Sequence, residues 1–345
     1  MSESFNQLLS LVTAGNHLSF EQMTSAINAV MSGECSEEQI RQFLIKLRDK
    51  GETVAEVAGA AAVMRQQMTT IDNHYPKLLD TCGTGGGGSS TFNISTASAI
   101  VIAATGVPVA KHGNRSVTSR SGSADVLAQL GVNIEASIPQ VQRCLNELGI
   151  CFCFAQRMHP AMRHVASVRK SLGIRTIFNI LGPLSNPAGA THQLLGAGLP
   201  ELRPLLASAL AMLGTERALV VSGEDGLGEV TLADKTQVTQ VEGSQLQELQ
   251  WTPEDFDIQQ VSTETMQNRL RVDGPAASAT IIREVLAGKS GLARDIVVLN
   301  AAAGLLAVGH CDQPQQAAEQ AGRTLDQGKA ATLLERLASL SHEDE

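Results

Sequence analysis

The sequence has no excess of positive charge. Its 345 residues carry 26 Lys and Arg against 35 Asp and Glu, which gives a formal net charge of −9 at pH 7. Binding along a nucleic-acid backbone requires a basic face, so this balance argues against a nucleic-acid partner. It does not exclude a small anionic ligand held in a locally positive pocket.

Long apolar runs and secretory features are also missing. The most apolar stretch, residues 295–309, is too short and too polar to span a bilayer and indicates a buried helix. The N terminus, MSESFNQLLSLV, lacks the basic start and apolar core of a signal peptide. The six cysteines form no CxxC pair, which is typical of reduced core thiols. We therefore expect a cytoplasmic protein without a membrane partner.

The hydrophobic pattern divides the chain into two parts. Within the first seventy residues, three successive capping boxes begin at Ser19, Ser36 and Thr53, each before an amphipathic helical run. From residue 71 onward short apolar strands alternate with helices, and residues 230–242 are interpreted as a hairpin. The pattern predicts an α/β fold with a mostly parallel sheet and a small all-helical N-terminal domain.

A glycine loop follows the first predicted strand. Residues 83–88 hold five glycines, and Gly83, Gly85 and Gly88 match GxGxxG, but the next strand ends without the acid of a dinucleotide site. The lysine of a P-loop is also missing. The remaining interpretation is an anion nest, in which glycine N–H groups and hydroxyls at a helix N terminus bind phosphate or pyrophosphate.

Three further segments carry polar residues in loops. Residues 111–125 combine cations with five serines or threonines, and two such loops after adjacent strands indicate a crevice for a phosphorylated ligand. Residues 169–187 mix arginines with helix breakers, and the arginine fork suits a planar carboxylate. In residues 223–231, Glu224, Asp225 and Glu229 form either a magnesium site or an acidic surface turn.

Motifs for covalent or zinc-dependent catalysis are absent. His159 and His164 are five residues apart, which is not the HExxH spacing, and no GxSxG elbow or Ser/His/Asp pattern occurs. No residue is assigned as a covalent catalyst, so catalysis is expected to rest on positioning and electrostatics.

Taken together and in this order, the motifs resemble those of anthranilate phosphoribosyltransferases over essentially the whole chain. The resemblance is carried by residues 83–86, 93–96, 111–116, Arg169 and the segment RTIFNILGPLSNP. It implies a nucleoside-phosphorylase-like phosphoribosyltransferase architecture, with a helical domain over residues 1–72 joined by part of 165–190, and an α/β domain over 73–345. It also implies a homodimer that forms through the helical domain.

The resemblance further implies an activity. The enzyme would transfer phosphoribose from phosphoribosyl pyrophosphate to anthranilate with Mg²⁺, two ions per subunit, in tryptophan biosynthesis. The residues implied for phosphoribosyl pyrophosphate are Gly83, Gly86, Gly87, Thr91, Asn93, Ile94, Ser95, Thr96, Lys111, His112, Gly113, Asn114, Arg115, Ser116, Ser119 and Ser123. Those implied for anthranilate are Gly83, His112, Asn114 and Arg169, and those for the metal are Ser95 and Glu229.

Two positions depart from the family pattern. Gly87 replaces an aspartate after GTGG, and Gly228 replaces the aspartate of an Asp-Glu pair, so one metal ligand is lost there. We expect Asp225 or substrate oxygens to substitute for it, and a Gly228→Asp variant to need less Mg²⁺. The alternatives in function are a pyrimidine nucleoside phosphorylase-like enzyme and a non-catalytic nucleic-acid-binding relative.

Overall fold

The computed structural model describes residues 4–85, 90–116 and 120–343. Its N-terminal part contains helices α1 (Phe5–Thr13), α2 (Phe20–Met31), α3 (Glu37–Lys50) and α4 (Val54–Gln67). Helices α2, α3 and α4 begin at the three predicted capping boxes, where the side chains of Ser19, Ser36 and Thr53 accept hydrogen bonds from the first turn. These caps satisfy N–H groups that have no partner within the helix.

A buried ion pair holds the turn between α3 and α4. The Glu56 carboxylate is fully buried, and its Oε2 accepts hydrogen bonds from Lys50 Nζ at 2.7 Å and from Thr53 N at 2.8 Å. Its Oε1 accepts from Leu18 N at 2.8 Å, near the end of the loop before α2. One carboxylate thus joins three segments of the helical part.

The described residues of the α/β part form one seven-stranded sheet. Its strands are β1 (Leu79–Gly83), β2 (Val109–Gly113), β3 (Ile150–Phe154), β4 (His192–Gly196), β5 (Arg217–Gly223), β6 (Thr236–Glu242) and β7 (Gln245–Trp251). The strand order is β3-β2-β1-β4-β5-β6-β7, parallel from β3 to β5 and antiparallel for β6 and β7. The prediction of an α/β fold with a mostly parallel sheet is confirmed.

The predicted hairpin is displaced along the chain. Strand β6 pairs with β7, which begins at Gln245, so the hairpin spans residues 236–251 rather than 230–242. The backbone of Val230 is bonded instead to the side chain of Asn300, which donates to the Val230 carbonyl at 2.8 Å and accepts from its N–H at 3.0 Å. That side chain takes the place of a strand partner.

Helices cover the sheet and complete the two cores. They are α5 (Ile94–Ala104), α6 (Ser123–Gln129), α7 (Ile138–Leu148), α8 (Ala155–Met158), α9 (Arg163–Leu172), α10 (Phe178–Leu181), α11 (Leu202–Met212), α12 (Thr263–Leu270), α13 (Pro275–Leu286), α14 (Leu292–Ala307), α15 (Pro314–Asp326) and α16 (Lys329–Leu340). Short 3₁₀ turns occupy Pro160–Met162, Gly182–Leu184 and Pro253–Phe256. Helix α14 is the predicted buried helix, and none of the described helices has both the length and the apolar character that a membrane crossing requires.

The two hydrophobic cores do not follow the chain order strictly. Apolar side chains of α1–α4 form one cluster with residues from 165–184 and with α11. The other cluster lies around α5, α14 and the strands of the sheet. Segment 165–184 therefore packs on the helical part although it lies between β3 and β4, while the domain boundary at residues 72 and 73 stays a prediction.

Candidate active site

The carboxyl ends of β1 and β2 lie side by side, with the glycine loop after the first. The loop is attached to the end of β4, where Thr84 N donates to Gly196 O and Thr84 Oγ1 accepts from Gly198 N, both at 2.9 Å. Gly85 has φ +62, a left-handed conformation that glycine adopts without strain. The two strand ends therefore lie next to each other, where the sequence predicts a crevice for a phosphorylated ligand.

Glycine at the end of β2 is required by close packing. A Cβ atom on Gly113 would lie 2.1 Å from Ser123 Oγ and 2.9 Å from the Phe152 ring. A side chain at position 113 would therefore have to displace the Ser123 hydroxyl and the Phe152 ring. Gly113 and Ser123, both implied by the resemblance, thus lie next to each other.

Lys111, Ser95 and Glu229 meet at the N terminus of α5. Lys111 is only 4% exposed, and its ammonium group donates hydrogen bonds to Thr81 O and, at 3.3 Å, to Ser95 Oγ. Ser95 N donates to Glu229 Oε1 at 3.2 Å, although 134 residues separate the two in sequence. The N-terminal N–H groups of a helix attract negative charge, so this cluster is suited to an anion.

Burial shifts the pKa of both charged groups in this cluster. It raises the pKa of Glu229 to about 7, against the lowering effects of Lys111 and of the hydrogen bond from Ser95 N. It lowers the pKa of Lys111, while nearby Asp80 opposes that change. Such shifts arise when charged forms are removed from water, and they are typical of functional sites.

The oxygens of this cluster fit Mg²⁺. Glu229 Oε2 is buried and has no hydrogen-bond partner among the described residues, and the Ser95 hydroxyl lies beside the same helix end. Carboxylate and hydroxyl oxygens are the hard ligands that Mg²⁺ takes. Within the ranges that the structure describes, no group of three or more His, Cys, Asp or Glu is placed to hold a metal, so substrate oxygens and water would have to complete the coordination.

The other two acidic residues of that loop do not join the cluster. Asp225 Oδ1 accepts from Leu227 N at 3.2 Å and its Oδ2 from Thr231 Oγ1 at 2.8 Å, so the carboxylate caps its own turn. Glu224 accepts from Gln237 Nε2 on the neighbouring strand. The expectation that Asp225 could substitute for the missing aspartate stays a prediction, and these two local hydrogen bonds do not favour it over water or substrate oxygens.

Gly228 is held in place by backbone packing. A Cβ atom at this position would lie 2.9 Å from Gly198 Cα and 3.0 Å from Gly198 N. A Cβ on Gly196 would in turn lie 1.9 Å from Gly228 O. We therefore do not expect Gly228→Asp simply to restore a metal ligand, because any side chain there must first move the backbone of Gly198.

A Gly228→Ala variant tests this packing. We expect the free energy of unfolding to fall by about 1–3 kcal/mol, since overpacking a close backbone contact forces the neighbours apart. The control is Gly322→Ala in α15, where the new Cβ would lie at an ordinary distance of 3.7 Å from Arg294 Nη2. Thermal unfolding should show a loss for the first variant alone, and equal midpoints would contradict the steric argument.

Two buried histidines form the other side of the crevice. His112 Nδ1 lies 3.0 Å from Gly182 O and donates to it, and its Nε2 lies 3.2 Å from His159 Nε2. Burial lowers the pKa of His112 to about 3 and that of His159 to about 4, so both rings are neutral at pH 7. In the sequence, His159 was considered only for the spacing of a zinc site. Its place beside His112 was missed, although His159 follows β3, the neighbour of β2.

Arg169 on α9 is a partly buried cation without an acidic partner. Its guanidinium lies over the Phe178 ring, 5.7 Å from the centroid, and burial lowers its pKa. Within the part of the chain that the structure describes, no carboxylate pairs with it. An unpaired arginine of this kind is suited to bind a carboxylate ligand through two hydrogen bonds.

Comparisons with known proteins agree with this geometry. Residues 6–68 match the model of the glycosyl transferase family helical bundle domain, and residues 75–331 match that of the glycosyl transferase family a/b domain. Anthranilate phosphoribosyltransferase of Rhodopirellula baltica is 49% identical, with 98% of this chain and 97% of the relative aligned. The chain belongs to the anthranilate phosphoribosyltransferase family.

Solved structures of anthranilate phosphoribosyltransferases share the fold. The Thermus thermophilus enzyme superposes with a TM-score of 0.91 at 40% identity, covering 97% of this chain and 99% of the other. The Saccharomyces cerevisiae enzyme, solved in complex with phosphoribosyl pyrophosphate and Mg, gives 0.88 at 28% identity, covering 98% of each chain. The predicted architecture and family are confirmed, and the comparisons favour phosphoribosyl transfer over the phosphorylase and nucleic-acid-binding alternatives.

Arg115 in the second loop has acidic neighbours. Its half-exposed guanidinium pairs with Asp125 at 3.2 Å and Glu135 at 3.6 Å, and its assignment to phosphoribosyl pyrophosphate stays a prediction. Asp125, which sequence reasoning missed, also accepts from Ser116 N at 2.9 Å and Gly122 N at 3.2 Å. Asp125 thus holds the second loop through these contacts. The sequence signal for this role is the position of Asp125 in the first turn of α6.

The remaining residues implied by the family occupy varied places. Asn114 O accepts from Ala124 N at 3.2 Å. Ile94 is fully buried in the core, while Thr96 Oγ1 is buried in the first turn of α5 with no partner among the described residues. Gly86, Gly87 and Ser119 lie outside the described residues.

Proposed function

We propose that this chain transfers the phosphoribosyl group of phosphoribosyl pyrophosphate to the amino group of anthranilate. The products are N-(5-phosphoribosyl)anthranilate and pyrophosphate. The observation that carries the proposal is the cluster of Lys111, Ser95 and Glu229 at the N terminus of α5, directly after the glycine loop. The names of the relatives support the choice of both substrates.

The phosphate side of the crevice stabilises the leaving group. Breaking the bond between ribose C1 and pyrophosphate places negative charge on the pyrophosphate, and Lys111 and the first N–H groups of α5 are fixed where they can bind it. Preorganised donors of this kind need no rearrangement during the reaction. Mg²⁺ held by Glu229 and Ser95 would neutralise further charge on the phosphate oxygens when bound.

The opposite side of the crevice orients anthranilate. We assign the anthranilate carboxylate to Arg169, which pairs with no carboxylate among the described residues. We assign the aromatic ring of anthranilate to the space beside the neutral rings of His112 and His159. The aromatic amine is unprotonated at neutral pH, so a strong general base is not required. Orientation of two reactants can contribute about 7–11 kcal/mol to lowering the barrier.

An Arg169→Ala variant tests the carboxylate assignment. We expect the KM for anthranilate to rise about 10- to 150-fold, because a hydrogen bond to a charged group contributes about 1.5–3 kcal/mol. The KM for phosphoribosyl pyrophosphate should stay within about twofold. Arg163→Ala, which removes an exposed arginine of the same helix, is the control. Equal changes in both KM values would assign Arg169 to a general structural role instead.

The activity itself is tested by the fluorescence of anthranilate. The signal should decrease only when the protein, phosphoribosyl pyrophosphate and Mg²⁺ are all present, and pyrophosphate should accumulate in equal amount. A nucleoside phosphorylase would instead consume a pyrimidine nucleoside and inorganic phosphate without Mg²⁺. Activity in the second assay and none in the first would overturn the proposal.

Several finer features are part of the same proposal. We assign the enzyme to the cytoplasm and to a homodimer that forms through α1–α4, which sedimentation can test. Two Mg²⁺ ions per subunit were predicted from the family resemblance. The position of Gly228 leaves Glu229 as the carboxylate at the end of α5, so a second ion would depend on phosphate oxygens and water.

A further inference from the structure

The connection between α12 and α13 contacts the ends of both phosphate loops. These are the glycine loop after β1 and the second loop, residues 111–125. Arg271 forms an antiparallel bridge with Thr91, Phe92 N donates to Leu270 O at 3.0 Å, and Val272 N donates to Ser90 O at 2.8 Å. These contacts fix the chain where it leaves the glycine loop. On the second loop, Arg120 pairs with Asp273. One segment therefore touches two loops that are far apart in sequence.

Ser278 in α13 makes the most specific of these contacts. It is fully buried, and its Oγ accepts from Asn93 N at 2.9 Å and donates to Asn93 Oδ1 at 2.8 Å. Asn93 is the residue before the first turn of α5, so Ser278 supplies the acceptor for an N–H group at the helix end.

The same asparagine reaches the second loop. Ser121 Oγ donates to Asn93 Oδ1 at 2.7 Å, and Asn93 Nδ2 donates to Ser121 O at 3.1 Å. The side-chain oxygen and nitrogen of Asn93 thus both have protein partners, one in α13 and one at the end of the second loop. The side chain of Asn93 acts as the junction between the two loops and α13.

We propose that Ser278 is a positioning residue for phosphoribosyl pyrophosphate, which sets the separation of the two phosphate loops through Asn93 and Ser121. The inference rests on the function proposed above. A ligand that binds both loops requires them at a fixed distance, and a misplacement of about 1 Å in a binding element can lower activity 10²-fold. Loss of the Ser278 hydroxyl leaves Asn93 N without its acceptor and frees the side chain of Asn93 to rotate.

Replacement of Ser278 by alanine is the first test. In Ser278→Ala we expect the KM for phosphoribosyl pyrophosphate to rise about 5- to 10-fold, as expected for loss of one buried hydrogen bond. The KM for anthranilate should stay within about twofold, because Arg169 is not among the described hydrogen-bond partners of Ser278, Asn93 or Ser121. Calorimetric titration with Mg²⁺ and phosphoribosyl pyrophosphate, without anthranilate, should show the same loss of affinity.

The matched control is Ser341→Ala. Ser341 is also a buried serine whose hydroxyl accepts from a distant backbone N–H, that of Asn133 at 2.9 Å, and donates to a carbonyl, that of Ala338. Its partners belong to neither phosphate loop. Both KM values should be unchanged in this variant, whereas a rise like that of Ser278→Ala would show that loss of any buried hydroxyl has the same effect.

Further variants keep the test decisive if Ser278→Ala folds poorly. Ser278→Cys preserves the volume but weakens the hydrogen bonds, and it should show the same selective rise in KM. Ser121→Ala should reproduce it, and Asn93→Ala combined with Ser278→Ala should be less than additive, because the two residues act as one unit. Equal KM rises for both substrates, or fully additive effects, would overturn the inference.

The two proposals fail in different ways. If the unmodified protein does not consume anthranilate, the proposed function is wrong. If it does, and Ser278→Ala and Ser278→Cys bind phosphoribosyl pyrophosphate as well as the unmodified protein, only the positioning role is wrong.

Discussion

Replacement of Lys111 by methionine should lower kcat/KM for phosphoribosyl pyrophosphate about 10²- to 10³-fold, the loss expected when one preorganised donor for a developing anion is removed. The ammonium group is buried, lies next to Ser95 at the N terminus of α5, and is near the Glu229 carboxylate. Methionine keeps much of the length and apolar stem, so the change removes charge more than volume. Initial rates at varied phosphoribosyl pyrophosphate will measure the effect.

The control for Lys111→Met is Lys77→Met. Lys77 donates to Val308 O at 3.3 Å near the start of β1, at the opposite end of the sheet from the crevice. We expect no change in kcat/KM for this variant. Thermal unfolding of Lys111→Met should show a lower midpoint, because the buried Asp80 and Glu229 carboxylates lose their nearby cation. A kcat/KM value within threefold of the unmodified protein would refute the role of Lys111.

The second large effect concerns stability rather than catalysis. Glu56→Ala should lower the free energy of unfolding by about 3–5 kcal/mol, because the buried Lys50 ammonium would lose its counterion. The N–H groups of Leu18 and Thr53 would lose acceptors at the same time. Urea denaturation followed by circular dichroism will measure the change.

The matched control for Glu56→Ala lies in the same helical part. Glu38 pairs with Arg41 at 3.6 Å, but its side chain is 66% exposed. An exposed ion pair contributes about 0–1 kcal/mol, so Glu38→Ala should have little effect. Similar losses in the two variants would show that burial of the Lys50 pair does not determine its contribution.

Local signals in the sequence predicted the fold well. The three capping boxes set the starts of α2, α3 and α4, because the residues that form a cap lie within one helical turn of each other. The alternation of strands and helices, which is also visible in short stretches of the sequence, predicted the parallel sheet. The hairpin was misplaced because its two-residue turn at residues 243 and 244 lies just after the predicted segment. The contact of Val230 with Asn300, 70 residues away, could not be read from a local pattern.

The site residues could be predicted only where they belong to the family motifs. Lys111, Ser95 and Glu229 were assigned from the resemblance, and the structure brings them together. Ser278 was missed because its partner Asn93 is 185 residues away in the sequence. Asp125 was missed although its partners Ser116 and Gly122 lie within ten residues of it. The packing of Gly228 on Gly198 was missed as well, because a glycine in the sequence does not show which part of the backbone packs against it.

The contact between Ser95 N and Glu229 determines what an incoming phosphate encounters. In the proposed function, the N–H group that would bind a phosphate oxygen already donates to the Glu229 carboxyl group, so a phosphate competes with one of the protein's own side chains for this donor. Substrate would therefore exchange with Glu229 at this N–H group rather than fill an empty position. Once displaced, Glu229 would be available as an oxygen ligand for the Mg²⁺ that accompanies the phosphates, so that arrival of one ligand and release of the other would form a single exchange.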